Sequence, residues 1–141
     1  MKKKNLSAIV AVNKLNYIGL HGTLPWYSKE DLKFFKRITL GKNLIVGSVT
    51  YKKLPPLPGR NVYVLGKEYL DFDSIIRMIN NSEEEFFVIG GKKTYELFLP
   101  FINIFYISRI NDYTVGDTTF NLEEKIETLG INTVENNFFI N

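Results

Sequence analysis

The sequence predicts a single α/β domain over residues 1–141, built on a mainly parallel β-sheet. Three observations support this fold class. Short apolar runs alternate with helical patterns along the chain, as strands alternate with helices in α/β proteins. The runs are nearly continuous rather than alternating, which is typical of strands covered on both faces. Two of the runs end in glycine turns directly before a helical pattern, as at the carboxyl ends of parallel strands.

The first strand is predicted over residues 6–12, a largely apolar run that follows three lysines. A basic start before an apolar run also occurs in secretory signals. This run is at the short limit for such a signal, and no small-residue cleavage site follows it. A buried first strand is therefore the favoured interpretation.

Residues 13–27 are expected to form a loop, because glycines and a proline interrupt them. The segment 28–40 is predicted to be a helix. Ser28 and Asp31 have the S-x-x-D spacing of a capping box, and apolar residues then recur at helical spacing. Gly41 is expected to end this helix.

The remaining elements follow from the same signals of apolar runs, caps, glycine and proline. Asp73 is interpreted as the cap of a helix that ends near residue 80. The full set is strands at 43–47, 61–65, 85–89 and 103–110, helices at 49–53, 73–80, 92–99 and 122–129, a proline-rich turn at 54–60, and two short strands at the end of the chain.

Composition narrows the classes of function. The chain carries a net charge of +3 and has no cysteine, which excludes disulfide and thiolate chemistry and suits a reducing compartment such as the cytoplasm. The charge suits an anionic small molecule. Lys and Arg are spread along the chain without a nucleic-acid-binding motif, and no apolar run approaches a membrane span of about 18 residues. With one histidine, a zinc site is not expected.

Two glycine turns are candidate phosphate sites. Gly47 and the pair Gly90-Gly91 each lie between a predicted strand and a predicted helix. Such junctions leave backbone N–H groups free at a helix N-terminus, and glycine allows a ligand to approach them closely. Neither turn matches a dinucleotide fingerprint or a P-loop. Each taken alone is equally compatible with an ordinary tight turn.

Asp31 is the candidate acidic group. As the third residue after Ser28 it can complete the helix cap, or its carboxylate can face a cleft lined by Leu32 and Phe35 and accept two hydrogen bonds from an amidine-like ligand edge. The two roles are compatible. Arg60 suits a carboxylate or phosphate, although a solvated surface arginine is an equally simple interpretation.

Two aromatic residues of the preceding loop have simpler interpretations. His21 is interpreted as an exposed loop histidine and is not assigned as an acid or base. Trp26, at the end of the loop, is about equally compatible with core packing and with contact to a ligand.

Taken together, these motifs resemble the dihydrofolate reductase family over roughly residues 6–120. The resemblance occurs in four places in the family's order. These are Ile18-Gly19 to Leu24-Pro25-Trp26 with Asp31, Phe35 and Lys36; Ile45 to Tyr51 with Leu57-Pro58-Gly59-Arg60; Val88-Ile89-Gly90-Gly91 with Tyr95 and Phe98-Leu99-Pro100; and Val115 to Phe120.

The resemblance implies a monomeric enzyme that reduces dihydrofolate to tetrahydrofolate with NADPH. Hydride would pass to pterin C6, with protonation at N5. Asp31 matches the family's ionisable active-site group, Trp26 would help to order a proton-donating water, and Leu24 matches the mobile loop that closes over the nicotinamide. The fold implied is the family's mixed, mainly parallel sheet flanked by helices, here with an abbreviated C-terminal hairpin.

The same matching implies the binding residues. Arg60 would bind the glutamate α-carboxylate of the substrate, and Ser108 would reach the pterin through water. The pterin and benzoyl pocket would be lined by Ile9, Val10, Leu32, Phe35, Leu54 and Ile89. The cofactor would be contacted by Ala11, Ile18, Gly19, Gly47, Ser48, Thr50, Lys67, Gly90, Gly91, Lys92, Lys93 and Tyr95. The Gly90-Gly91 peptide is expected to be cis.

The chain also departs from the family pattern. Ser48 occupies the position of the arginine that commonly follows the first glycine turn, so Lys67 is the expected partner of the adenosine 2′-phosphate, and NADH stays an alternative cofactor. Lys92 is bulky for its position, where it would either bind or crowd the pyrophosphate. Two other functions are left open: a non-catalytic folate- or nucleotide-binding protein, and a reductase of the riboflavin-pathway type.

Overall fold

A six-stranded parallel sheet forms the centre of the computed structural model, which describes residues 2–19 and 23–140. The strands are β1 (Lys3–Asn13), β2 (Tyr17–Gly19), β3 (Asn43–Gly47), β4 (Asn61–Leu65), β5 (Phe86–Gly90), β6 (Ile102–Asn111), β7 (Thr118–Thr119) and β8 (Asn132–Phe139). The helices are α1 (Lys29–Thr39), α2 (Ser48–Tyr51), α3 (Phe72–Asn80), α4 (Lys92–Phe98) and α5 (Glu123–Thr128), and a 3₁₀ turn (Leu99–Phe101) follows α4.

The strand order is β4-β3-β5-β1-β6-β8, and every pairing in this sheet is parallel. The carboxyl ends of β1, β3, β5 and β6 therefore meet at one edge, where α/β sheets bind their ligands. A separate antiparallel ribbon joins β2 to β7. The predicted α/β class with a mainly parallel sheet is confirmed.

Apolar side chains fill both faces of the sheet. In β1, Leu6, Ala8, Val10 and Val12 belong to one buried cluster, whereas Ile9 belongs to a second. Since successive side chains of a strand point to opposite faces, the two clusters cover opposite sides of the sheet. This is why the strands read as continuous apolar runs in the sequence.

Three sequence expectations about the elements were wrong. The segment predicted as loop contains β2, because Tyr17 and Gly19 pair with the distant β7. The cap of α3 is Asp71 rather than Asp73, since the Asp71 carboxylate accepts the Ser74 N–H at 2.8 Å. One strand, β8, replaces the two short strands expected at the end of the chain, so the abbreviated C-terminal hairpin is not found among the described residues.

The pairing of β8 explains the last difference. It lies parallel to β6 in continuous register, from Ile104 opposite Asn132 to Asn111 opposite Phe139. A partner along its whole length stabilises a segment that is too polar to be recognised as one long strand.

Within the described residues, no helix has the length and apolar character needed to cross a membrane.

Replacing Phe105 with alanine is expected to lower the free energy of unfolding by about 3–5 kcal/mol, because a fully buried ring would leave a cavity. Its ring lies 5.6 Å from that of Tyr95 and 5.8 Å from that of Phe120. Urea unfolding measures the change. The matched control is Leu97→Ala on the half-exposed side of α4, expected to stay within about 0.5 kcal/mol. Equal losses in the two variants would contradict this placement of the core.

Candidate active site

Asp31 lies in the first turn of α1, where Ser28 caps the helix. The Ser28 hydroxyl accepts the backbone N–H of Asp31 at 3.3 Å, so the predicted cap is confirmed. The cap uses the backbone of Asp31. Its side chain is buried, with the residue 7% exposed. The first turn of α1 thus carries a helix cap and an enclosed carboxyl group at the same residue.

Burial raises the pKa of the Asp31 carboxyl group, because the charged form loses its hydration. The Ser108 hydroxyl opposes this rise only in part. Its Oγ lies outside hydrogen-bond geometry with every described residue, so we assign it the smaller effect. Tyr95 also faces this carboxyl group: the pKa of its phenol is raised first by burial and then by the charge of Asp31.

Two buried polar atoms lack a hydrogen-bond partner within the described part of the chain: Ser108 Oγ and the indole N–H of Trp26. An unpaired buried polar group costs free energy, so native proteins seldom retain one without a reason. Trp26 is 8% exposed and lies just before α1, and the Ser108 side chain faces the Asp31 carboxyl group. These groups fit a polar ligand edge or a bound water at the site.

The ends of β1 and β6 position the rest of this region. The Tyr95 hydroxyl of α4 donates to the carbonyl of Ile9 at 2.7 Å. Ala11 of β1 pairs in register with Ser108 of β6. One acidic group, one hydroxyl and one buried phenol therefore converge on the carboxyl end of the sheet from α1, β6 and α4.

The structure brings together three of the residues predicted to line the pocket. Ile9 is buried in the smaller core cluster, and Phe35 and Ile89 pack against that cluster. Val10 points to the opposite face, as its membership of the larger cluster shows. The separation follows from the alternation of a β-strand, which the residue-by-residue matching ignored. Leu32 is 45% exposed and Leu54 is half-buried.

Arg60 is held beside Phe35. Its Nε donates to the carbonyl of Pro58 at 3.1 Å and its Nη1 donates to Thr39 Oγ1 at 3.3 Å. The guanidinium carbon lies 6.0 Å from the centroid of the Phe35 ring. Arg60 is thus oriented against the end of α1 rather than extended freely into solvent.

The two glycine turns meet at the ends of the neighbouring strands β3 and β5. A Cβ added to Gly47 would lie 2.5 Å from Thr94 Oγ1 and 3.8 Å from the Gly91 nitrogen. A Cβ added to Gly91 would lie 2.9 Å from Thr50 Oγ1. The turns form a surface on which backbone rather than side chains is presented. The Gly90-Gly91 peptide is cis, which confirms the expectation.

The same turns begin α2 and α4. Gly47 and Gly91 are the N-cap residues, and neither helix start receives a side-chain cap from the described residues. Free N–H groups at such a junction suit an anionic group of a cofactor. Lys92, half-buried, and Lys93, exposed, stand at the start of α4.

Lys67 is exposed in the turn that follows β4. The preceding Gly66 lies against Ser48, since an added Cβ would be 2.7 Å from the serine Oγ. The rings of Tyr51 and Tyr69 also join this turn to α2, with centroids 6.0 Å apart. Ser48, at the start of α2, occupies the position where an arginine is common in the family. The turn that carries Lys67, its proposed substitute, therefore packs against Ser48.

The loop before α1 is tied to the segment after β6. The carbonyl of Gly19 accepts the Asp117 N–H at 2.8 Å, and β2, which also contains Ile18, pairs with β7. Leu24 is 44% exposed. His21 lies outside the described residues, so its interpretation as an exposed loop histidine stays a prediction.

Thr94 is a site residue that the sequence analysis missed. It is 5% exposed, and its hydroxyl fills the space beside Gly47. A small polar residue in the first turn of a helix that follows a glycine turn is the only local signal for it. The contact itself joins distant segments, and no local pattern reveals it.

Comparison with known proteins gives a consistent result. The family model described as "Dihydrofolate reductase" matches residues 5–135. A dihydrofolate reductase of Buchnera aphidicola subsp. Acyrthosiphon pisum is 36% identical over 126 residues, covering 82% of this chain and 78% of that protein. Dihydrofolate reductase type 9 of Escherichia coli is 34% identical over 136 residues, covering 84% and 77%.

A solved structure agrees with these matches. The dihydrofolate reductase of Enterococcus faecalis, complexed with NADP(H) and RAB-propyl, superposes with a TM-score of 0.76 at 29% identity. The match covers 84% of this chain and 78% of that one.

The free energy of unfolding of the Asp31→Asn variant, measured relative to that of the parent, is expected to increase as the pH rises. A carboxyl group whose pKa is raised by folding binds more protons in the folded state. The parent therefore loses stability between the ordinary carboxyl pKa and the raised one, whereas the asparagine does not titrate. Urea unfolding across a pH series measures the difference between the two proteins.

The control for this experiment is Asp71→Asn. The Ser74 backbone N–H holds the pKa of Asp71 below its ordinary value, so here the parent gains stability as the pH rises. A pH-independent difference between Asp31→Asn and the parent would refute the burial of this carboxyl group.

Proposed function

The chain belongs to the dihydrofolate reductase family, and we propose that Asp31 is the acidic group with which it carries out the NADPH-dependent reduction of 7,8-dihydrofolate to 5,6,7,8-tetrahydrofolate. The observation that carries the proposal is the enclosed Asp31 carboxyl group, whose pKa is raised by burial, as is common for the acid–base groups of active sites. The reaction adds a hydride to pterin C6 and a proton to N5. NADPH, when bound, supplies the hydride from nicotinamide C4.

Asp31 holds the pterin by accepting hydrogen bonds from its N3 and 2-amino groups. A carboxylate matches this pair of donors, and charge-assisted bonds of this kind are stronger than neutral ones. Its negative charge favours protonation at N5. Among the described residues, neither the indole N–H of Trp26 nor the hydroxyl of Ser108 has a hydrogen-bond partner. This supports their assignment to water molecules, one that delivers the proton and one that reaches the pterin.

The rest of the substrate lies along the apolar wall beside α1. The grouping of Ile9, Phe35 and Ile89 in one cluster supports their contact with the pterin and benzoyl rings. Leu32 and Leu54 complete the wall, to which Val10 contributes its backbone because its side chain points to the other face of the sheet. Arg60, oriented against the end of α1, binds the glutamate α-carboxylate through its planar guanidinium.

The paired glycine turns would hold the cofactor, because the absence of a Cβ atom permits close approach to the backbone. Its pyrophosphate is assigned to the starts of α2 and α4, and its 2′-phosphate to Lys67. Leu24 would cover the nicotinamide and help to exclude bulk water from it. The residues assigned to cofactor contact are Ala11, Ile18, Gly19, Gly47, Ser48, Thr50, Lys67, Gly90, Gly91, Lys92, Lys93 and Tyr95. The same proposal has the chain form one domain over residues 1–141, act as a monomer and be located in the cytoplasm.

Asp31→Asn is expected to lower kcat for dihydrofolate at pH 7 by about a hundredfold or more, because the acidic group is lost. Oxidation of NADPH, followed with dihydrofolate present and absent, measures the change. Asp73→Asn, in α3, is the matched control and should keep the parental rate.

A near-parental rate of Asp31→Asn would refute the role of this residue. Tight binding of dihydrofolate and NADPH by the parent without turnover would favour a non-catalytic protein. Turnover of a pyrimidine ribosyl substrate in place of dihydrofolate would favour the riboflavin-pathway type of reductase.

Lys67→Gln is expected to raise the KM for NADPH about tenfold, since a charge-assisted contact to the 2′-phosphate is removed. The KM for NADH should not change, because NADH lacks this phosphate. Initial rates with each cofactor measure both values, and Lys125→Gln in α5 is the charge-matched control. Parallel changes for NADPH and NADH would show that Lys67 does not read the 2′-phosphate.

A further inference from the structure

The Ser28 hydroxyl has two partners. It accepts the backbone N–H of Asp31 at 3.3 Å, and it donates to the carbonyl of Phe139 at 2.8 Å. Ser28 is 2% exposed, so water does not compete freely for these bonds. One hydroxyl therefore joins the start of α1, which carries the acidic group, to the end of β8.

The end of β8 is itself held firmly by β6. Its backbone pairs with β6 as far as Phe139. In the middle of the pair, Arg109 Nε of β6 donates to Glu135 of β8 at 2.7 Å, and Arg109 Nη2 donates to Glu123 of α5 at 2.5 Å. Paired in this way, β8 provides a fixed point against which α1 is set.

A second contact links the same two elements. The rings of Phe138 in β8 and Phe34 in α1 lie with centroids 5.7 Å apart and planes inclined by 52°. Phe34 is buried in the smaller core cluster, the one that contains Ile9. The hydroxyl bond fixes the first turn of α1, and the ring contact fixes the turn that follows.

We propose that Ser28 is a positioning residue for Asp31, which it holds in its buried setting by fastening the first turn of α1 to β8. The inference rests on the proposed function of Asp31 and adds a residue outside the motifs that carry the family resemblance. Removal of the hydroxyl would cost the first turn of α1 both its cap and its hydrogen bond to β8. The first turn would then open, and Asp31 would become better hydrated.

The surroundings of Asp31 determine how such a change would be seen. Tyr95 is the ionisable group that faces it from α4, and uncharged Ser108 faces it from β6. On β8 the ionisable residue is Glu135, which is paired with Arg109. Burial is the main cause of the raised pKa of the Asp31 carboxyl group, so greater hydration would lower that pKa towards its ordinary value.

The test compares Ser28→Ala with the parent enzyme over a range of pH. The apparent pKa of the kcat profile should fall towards that of an ordinary carboxyl group. At pH 7, kcat should fall about tenfold, because the acidic group is misplaced. The KM for dihydrofolate should rise while that for NADPH is unchanged. Ser28→Thr keeps the hydroxyl and should restore the parental profile.

Two controls separate positioning from stability. Asp71→Ala removes the cap of α3 and should lower Tm to a similar extent as Ser28→Ala, without a change in the pH profile. Val134→Ala alters an exposed side chain of β8 and should leave the rate and its pH dependence as in the parent. Phe138→Leu weakens the ring contact and should shift the profile in the same direction as Ser28→Ala, by a smaller amount.

A lower Tm with an unchanged pH profile in Ser28→Ala would overturn the inference. If that variant does not fold, an unchanged profile in Phe138→Leu would overturn it equally. Asp31→Asn separates this outcome from failure of the proposed function: a near-parental rate in Asp31→Asn refutes the role of Asp31 itself. An inactive Asp31→Asn together with an unshifted Ser28→Ala refutes only the positioning role.

Discussion

The parallel pairing of β1 with both β5 and β6 is the constraint on which the site depends. It brings the carboxyl ends of these strands to one edge of the sheet, with Ser108 opposite Ala11. The Tyr95 hydroxyl then fastens α4 to the Ile9 carbonyl at this edge. The glycine turns after β3 and β5 can meet only because those strands are neighbours. Groups far apart in the sequence are thereby held in a small volume by backbone hydrogen bonds.

The buried polar groups of the site lower the stability of the folded protein. A carboxyl group is enclosed at Asp31, and Trp26 and Ser108 each bury a polar atom without a partner among the described residues. Each of these features costs free energy in the folded chain. The large apolar clusters on both faces of the sheet offset that cost. Such a balance is expected where groups must be available to a ligand rather than to each other.

Much of this arrangement could be predicted from local patterns. The Ser28 cap, the apolar strands and the glycine turns depend on neighbouring residues, and the sequence displays them directly. The ribbon of β2 and β7 and the length of β8 depend on distant partners, so local patterns did not reveal them. Matching to a family by position likewise placed Val10 in the pocket, although strand alternation turns its side chain to the other face.

The pairing of distant segments also has a consequence for how the chain matures. Leu6 lies opposite Phe86 and Lys3 opposite Ile102, so β1 is synthesised well before the strands with which it pairs. Its apolar side chains have no sheet to join through that interval. The bond from Ser28 to Phe139 forms later still, when β8 arrives. The first turn of α1, which carries Asp31, therefore gains its link to the sheet only after the chain has been made as far as Phe139.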